Sequence, residues 1–241
     1  MDDVFSLKSS SFPDSARVAS FRGREGISQV YELEVFVIVP GDDAKDFDFA
    51  DGVGTRAHLS LHGDWKHAFT FHGILETVEL VHAHGPFALF RTVLVPRLQR
   101  LALTQHSRLF TQQAFPDILK AVLDENGLQG EDVAVQLTGS YPTEEHVCQY
   151  RESDLAFISR WMEHLGIYYY FAPGDAAAPL LVTDAKSSHT DLPTDPVRYV
   201  PTALDDRSAG EALETFRCRA RSLPGSVKLK DYDYTNPTLE V

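Results

Sequence analysis

The chain has 241 residues, 43% of them apolar and 24% charged, the composition of an ordinary globular protein with room for one large domain or two small ones. Lysine and arginine number 22 against 35 acids, and the net charge of −13 repels phosphate, so no nucleic acid partner is expected. Cys148 and Cys218 stand far apart and outside any Cys-x-x-Cys spacing, which argues against a disulfide framework or a thiolate zinc site and for two reduced thiols in a cytoplasmic fold.

The N-terminus, Met1-Asp2-Asp3-Val4-Phe5, is acidic and lacks the apolar core of a secretory signal, and no apolar run approaches membrane-spanning length. Val30 to Val39 sets Tyr31, Leu33, Val35 and Val37 against Glu32, Glu34, Phe36 and Ile38, a strand that is polar outward only in its first half. Pro40-Gly41-Asp42-Asp43 reads as the turn that ends it, and residues 42–54 as an acidic loop anchored by Phe47 and Phe49. Strands follow at about His58 to Leu61, Phe69 to Leu80 and Phe87 to Val95, separated by Gly63-Asp64 and His84-Gly85-Pro86. Short strands at this spacing predict an antiparallel barrel or sandwich in the first hundred or so residues. Arg91, Arg97, Arg100 and Arg108 are a candidate basic patch, but the residues between them read as strand and core.

Pro116 suits the first turn of a helix with Ile118, Leu119, Val122 and Leu123 on its apolar face, stopped by Asn126-Gly127. A loop through Gly139 to Pro142 leads to a short strand at about His146 to Tyr150. The next helix starts at the N-cap Ser153, with Glu152 and Asp154 at its positive end and Arg160 nearer its negative end. Leu155, Ile158, Trp161, Met162 and Leu165 form its apolar face, and Gly166 closes it. Ile167 to Phe171 is a strand apolar on both faces, returning as a hairpin through Leu180 to Thr183. Pro193, Pro196 and Pro201 then punctuate a connection. Glu214 to Ser222 and Ser226 to Lys230 read as strands around Leu223-Pro224-Gly225. Two strands do not make a stable sheet, so the C-terminus reads as a truncation.

Beyond pattern, the residue identities resemble the N-terminal hub domain of VgrG, the spike protein of type VI secretion systems. Phe71-His72-Gly73-Ile74 is similar to the family's aromatic, His or Gln, Gly, branched strand motif, and Leu94-Val95-Pro96-Arg97-Leu98 to its Leu-x-Pro segment. Ser107-Arg108-Leu109-Phe110 resembles its step into the first helix. The strongest matches are Tyr150-Arg151-Glu152-Ser153-Asp154 and Phe157-Ile158-Ser159-Arg160, continued by Gly166-Ile167-Tyr168-Tyr169-Tyr170-Phe171. Leu181-Val182-Thr183-Asp184 fits the next strand; Pro224-Gly225-Ser226-Val227, Asp231-Tyr232-Asp233-Tyr234 and Pro237 resemble the entry into a second barrel.

The resemblance implies an α+β, mostly β fold. A first antiparallel β-barrel would span residues 1–110, a helical and small-sheet middle 111–190, and the incomplete start of a second barrel 191–241. It implies a structural role with no cofactor: a tip component that docks on the secretion tube and helps puncture membranes and deliver effectors. Implied partners are two further copies in a homotrimer of the full-length protein, the hexameric tube protein, and a tip-capping protein and effectors reached through C-terminal regions absent here. The target membrane would be touched only as part of the spike, after assembly in the cytoplasm and secretion through the type VI apparatus. His72, Gly73, Pro96, Arg108, Tyr150, Arg151, Glu152, Asp154, Phe157, Arg160, Gly166, Tyr169 and Phe171 would then be structural. A contractile phage tail or tailocin hub is an alternative of the same class, and an effector-binding adaptor a further one.

The competing reading is a metal-dependent hydrolase. His62, His67 and His72 recur at five-residue steps, and His82 and His84 would share a strand face. No His-Glu-x-x-His occurs, no carboxylate sits at a persuasive third-ligand offset, and His62 and His84 abut turn residues. No nucleophile elbow, phosphate loop or dinucleotide fingerprint appears. His146 and Cys148 share a strand face, but a buried free thiol is the expected state of Cys148. Arg151, Glu152, Asp154 and Arg160 are expected to cap a helix and form salt bridges.

Overall fold

The computed structural model describes residues 5–45, 48–62, 69–172, 180–189, 198–200, 212–213 and 215–228. The chain divides into two units, residues 1–193 and 194–241.

In the first unit, β1 (Phe5–Ser9) and β2 (Arg17–Gly26) precede the first strand the sequence predicts. Most β2 side chains are exposed, so its sequence shows little alternation. The predicted strand is β3 (Gln29–Pro40), and its inward side chains Tyr31, Leu33, Val35, Val37 and Val39 are buried as the period-two pattern requires. The predicted turn at Pro40–Asp43 is a short helix, α1 (Gly41–Lys45), and the acidic loop contains another, α2 (Phe49–Gly52). Asp48 nucleates α2 by accepting the Ala50 amide at 2.9 Å, a local bond that competes with an open loop. β4 (Arg56–Leu61), β5 (Phe69–His84) and β6 (Phe87–Val95) complete an antiparallel sheet of order β1-β4-β5-β6-β3-β2.

Bulges between Val18 and Ser20, Arg24 and Gly26, Leu75 and Thr77, and Leu80 and His82 increase the twist of the long strands. The sheet curls until its two edges approach, the rings of Phe5 and Phe21 meeting at 5.0 Å. Of the antiparallel barrel or sandwich expected of the first hundred or so residues, the structure gives a half-closed barrel. Gly73 is required by a close approach: a Cβ there would lie 2.0 Å from the Val95 carbonyl oxygen.

A 3-10 turn over Arg97–Ala102 leads into β7 (Gln105–Ala114), which contains the whole of Ser107–Phe110. That motif is therefore strand, and the helix begins later, as α3 (Phe115–Glu125) with Pro116 in its first turn. β8 (Val133–Gln136), β9 (Thr143–Ser153), α4 (Asp154–Leu165), β10 (Tyr168–Phe171) and β11 (Leu180–Thr183) follow. β7 and β9 form a two-stranded ribbon. β11 lies between antiparallel β10 and parallel β8, so the predicted hairpin gains a third strand. α4 is capped as predicted: Ser153 Oγ accepts the Ala156 amide at 3.1 Å, and Gly166 takes a left-handed φ of 72°.

A second core joins Phe115, Ile118, Leu119, Val122 and Leu123 of α3 to Phe157, Ile158 and Met162 of α4 and Val182 of β11. Phe171 packs against both cores. Its ring meets Tyr31 at 5.0 Å, and the Ser28 amide donates to the Tyr169 carbonyl at 2.8 Å. Cys148 is exposed on β9, contrary to the expectation of a buried thiol: Val147 and Gln149 take the inward parity of that strand.

In the second unit, β12 (Arg198–Tyr199) and β13 (Ala212–Leu213) pair in parallel. The strands predicted over Glu214 to Ser222 and Ser226 to Lys230 are absent from the described residues 215–228, where Phe216, Leu223 and Val227 are exposed. An extended segment becomes a strand only when a ladder accepts it, and the pair β12–β13 is two residues long. Asp231–Tyr234 and Pro237 lie outside the described residues.

Candidate functional site

The strongest motif converges on one carboxylate. Asp154, the first residue of α4, has no solvent exposure. It stands in the first turn of α4, at the positive end of the helix as expected, and it also gathers partners from outside the helix. Its oxygens accept from Gln149 Nε2 (2.8 Å), His106 Nδ1 (2.9 Å), Thr104 Oγ1 (3.0 Å), Asn126 Nδ2 (3.0 Å) and Arg108 Nη2 (3.2 Å). Its own amide donates to the Thr104 carbonyl at 3.3 Å. Burial pushes the carboxyl up, but the bonds from Gln149, His106, Asn126 and Thr104 outweigh it and hold the group at about 2. A carboxylate so saturated with donors is a poor proton acceptor for chemistry and a strong pin for structure. It ties β7, the end of α3, β9 and the start of α4 to one point.

Arg108 connects this pin to its surroundings. Its Nε donates to Gln149 Oε1 at 2.8 Å, Nη1 pairs with Glu125, and the guanidinium lies 5.1 Å from the Phe110 ring centre. Phe110 stacks on buried Phe157 at 5.7 Å. On the same helix Arg160 pairs with Glu152 at 2.7 Å and donates to the Cys148 carbonyl at 3.2 Å. Of the salt bridges expected among Arg151, Glu152, Asp154 and Arg160, that of Arg160 with Glu152 is present, and Asp154 pairs instead with Arg108, which the sequence did not place beside it.

Arg151 behaves differently. It is the extra residue of a bulge opposite His106 and Ser107, with a left-handed φ of 49°. Among the described residues it makes no ion pair; its guanidinium lies over the exposed Tyr150 ring at 5.4 Å. The bulge shifts strand parity, which hides from the sequence that Thr104, His106, Asn126 and Gln149 meet at Asp154. The detectable signal is Gln149 beside Val147: a fully buried amide on an otherwise apolar inward face asks for a polar partner.

His72, Gly73, Pro96 and Phe171 form a separate group and line one cavity of about 450 Å3. Tyr31 donates its hydroxyl to the His72 carbonyl, and burial raises that phenol far above its ordinary range. Tyr169 is also buried, and burial pushes its phenol up to about 12. A second buttressed acid is Asp184, the last residue of the Leu181–Asp184 motif, which directly follows β11. It accepts from the amides of Thr138 (2.9 Å) and Gly139 (2.7 Å) and from the Tyr141 hydroxyl (2.8 Å). These bonds from the Thr138 and Gly139 amides hold it well below the usual carboxylate range.

The histidines of the hydrolase reading do not converge. His62 bonds Ser6 Oγ at 2.8 Å, the His72 ring lies tilted beside His58 at 5.6 Å, and His82 stacks on His84 at 5.9 Å, while His67 lies outside the described residues. His84 ends β5 rather than lying in the turn. Among the described residues, no three His, Cys, Asp or Glu side chains gather as metal ligands.

Residues 24–241 match the family model of the phage tail baseplate hub. The type VI secretion system spike protein VgrG1b of Pseudomonas aeruginosa is 33% identical over 217 residues, covering 89% of this chain and 28% of its own length. The actin cross-linking toxin VgrG1 of Vibrio cholerae is 31% identical over 239 residues, 91% of this chain and 20% of its own. Among solved structures, the E. coli c3393 protein superposes with a TM-score of 0.71 at 25% identity, over 77% of this chain and 51% of that one. It is described as a component of the type VI secretion system with structural similarity to the T4 bacteriophage tail proteins gp27 and gp5. The chain thus spans less than a third of the length of these curated relatives.

Proposed function

The chain belongs to the phage tail baseplate hub family, and from that premise we propose that it forms the hub of a type VI secretion spike, docking on the secretion tube as part of a structural tip. The observation that carries this reading is the family match across residues 24–241, together with spike-protein relatives that share the same stretch. The stretch is common to relatives named for a spike and for a toxin, so we assign it the shared scaffold role and no catalysis. In the full-length protein three copies would assemble to meet a hexameric tube. A tip-capping protein and effectors would be carried by regions beyond this stretch, and the spike would leave the cell through the type VI apparatus. The division of residues 1–110, 111–190 and 191–241 into barrel, middle and second barrel belongs to the same proposal. So does the structural role of Pro96, Arg108, Tyr150, Asp154 and the other motif residues.

The geometry suits mechanical work. Two cores share Phe171, and a saturated buried carboxylate fixes the helix pair to the ribbon, so load entering one part is passed on without a soft joint. The test is to tag the protein in its source cell. It is expected to co-purify with the tube protein and to reach the medium only when the contractile apparatus is intact. Retention in cells with an intact apparatus, with no tube protein bound, would overturn the proposal. Sedimentation with phage-like particles instead would favour the tail-hub alternative.

A further inference from the structure

The cavity lined by His72, Gly73, Pro96 and Phe171 has two unlike walls. Lys8, Arg56, His58 and His72 stand on the side of the curled sheet. Leu98 and Leu128, 2% and 4% exposed, form the apolar side. Asp132 is the one carboxylate among the lining residues, and Arg97 already holds it. Arg56 makes no ion pair among the described residues, and the Lys8 side chain is 52% exposed, its salt bridge reaching Asp14 at 3.4 Å. In a chain of net charge −13 this is a local concentration of positive groups over a greasy floor.

We propose that this cavity receives an acidic peptide segment of a partner protein, one aromatic or aliphatic side chain entering the cavity and a neighbouring carboxylate held by Arg56 and Lys8. A volume of about 450 Å3 suits a few side chains rather than a folded surface. The guanidinium of Arg56 offers the planar fork that fits a carboxylate. Lys8 and Arg56 line the cavity and are both exposed, so a bound peptide can reach them from solvent. The proposal goes beyond the hub reading and fails separately from it, because neither tube nor apparatus enters the measurement.

The test uses fluorescence anisotropy of the 241-residue chain with a labelled pentapeptide carrying phenylalanine between two glutamates. Binding is expected, with at least about tenfold weaker binding when lysines replace the glutamates or alanine replaces the phenylalanine. Arg56→Ala, at the exposed first residue of β4, is expected to weaken binding about tenfold while circular dichroism stays unchanged, and salt is expected to weaken it further. Absence of binding at about 1 mM, equal binding of the lysine peptide, or indifference to Arg56→Ala would overturn the proposal. Displacement by free 3-phenylpropionate at equal concentration would overturn it too, since the ligand would then be a small carboxylate.

Discussion

Replacing Asp154 by alanine removes the one acceptor that Thr104, His106, Arg108, Asn126 and Gln149 share. Breaking a buried charged network by deleting one member costs about 3–5 kcal/mol. The lower end applies here. His106 is 47% exposed and can turn to water, and Arg108 keeps Glu125 and Gln149. At about 2 kcal/mol per molar urea, a loss of about 3 kcal/mol lowers the unfolding midpoint by about 1.5 M. Acid provides an independent check. The folded-state value of Asp154 is about 2, below the ordinary value of about 3.9. Its stabilisation is therefore complete above about pH 4 and disappears as the pH falls through about 2, an amount of about 2 kcal/mol. Wild type and Asp154→Ala are compared by urea titration at pH 7, 5, 4, 3 and 2, followed by tryptophan fluorescence and far-ultraviolet circular dichroism. The gap between them is expected to be wide at pH 7 and to shrink by about 2 kcal/mol toward pH 2. Coincident midpoints at pH 7, or a gap that ignores acid, would refute the reasoning.

Gly73→Ala forces a methyl group against the Val95 carbonyl and is expected to cost about 2 kcal/mol, seen as a melting temperature lower by about 4–8 °C; an unchanged melting curve would remove the close-approach argument. Gly166→Ala places a side chain at φ 72° and is expected to cost about 1 kcal/mol, with faster hydrogen exchange confined to the last turn of α4. Asp184→Asn replaces two carboxylate oxygens with one carbonyl, so the Thr138 and Gly139 amides are expected to exchange faster while α4 amides keep their protection; uniform acceleration would mean that Asp184 supports the whole unit.

The periodic parts of the fold were legible. β3, β6, α3, α4 and the β10–β11 hairpin follow from alternation, helical spacing and caps, because each satisfies its pattern within its own segment. β2 and β8 were not: β2 is largely exposed, and β8 is four residues whose pairing is decided by β11, which lies far along the chain. The Asp154 site was half legible. The motif named Arg108, Glu152, Asp154 and Arg160, but the bulge at Arg151 changes which side of β9 faces inward, and no local rule brings Thr104 or Asn126 to the start of α4. The strands foreseen after residue 214 failed for the opposite reason: their local pattern was adequate, and the sheet that strands require is missing from the described part of their unit.

The position of Phe171 between the two cores also bears on the order in which the molecule can be made. Every strand of the curled sheet lies before residue 96 and can pair as soon as it emerges from a ribosome. Tyr31, only 1% exposed in the finished molecule, waits for a ring that arrives much later in synthesis. Contacts so distant along the chain form slowly, since a large loop must close before they contribute. A nascent chain halted before Tyr168 would therefore carry a formed sheet with a sticky, uncovered flank. The small β10–β11 hairpin acts as the clasp, and translation decides when it shuts.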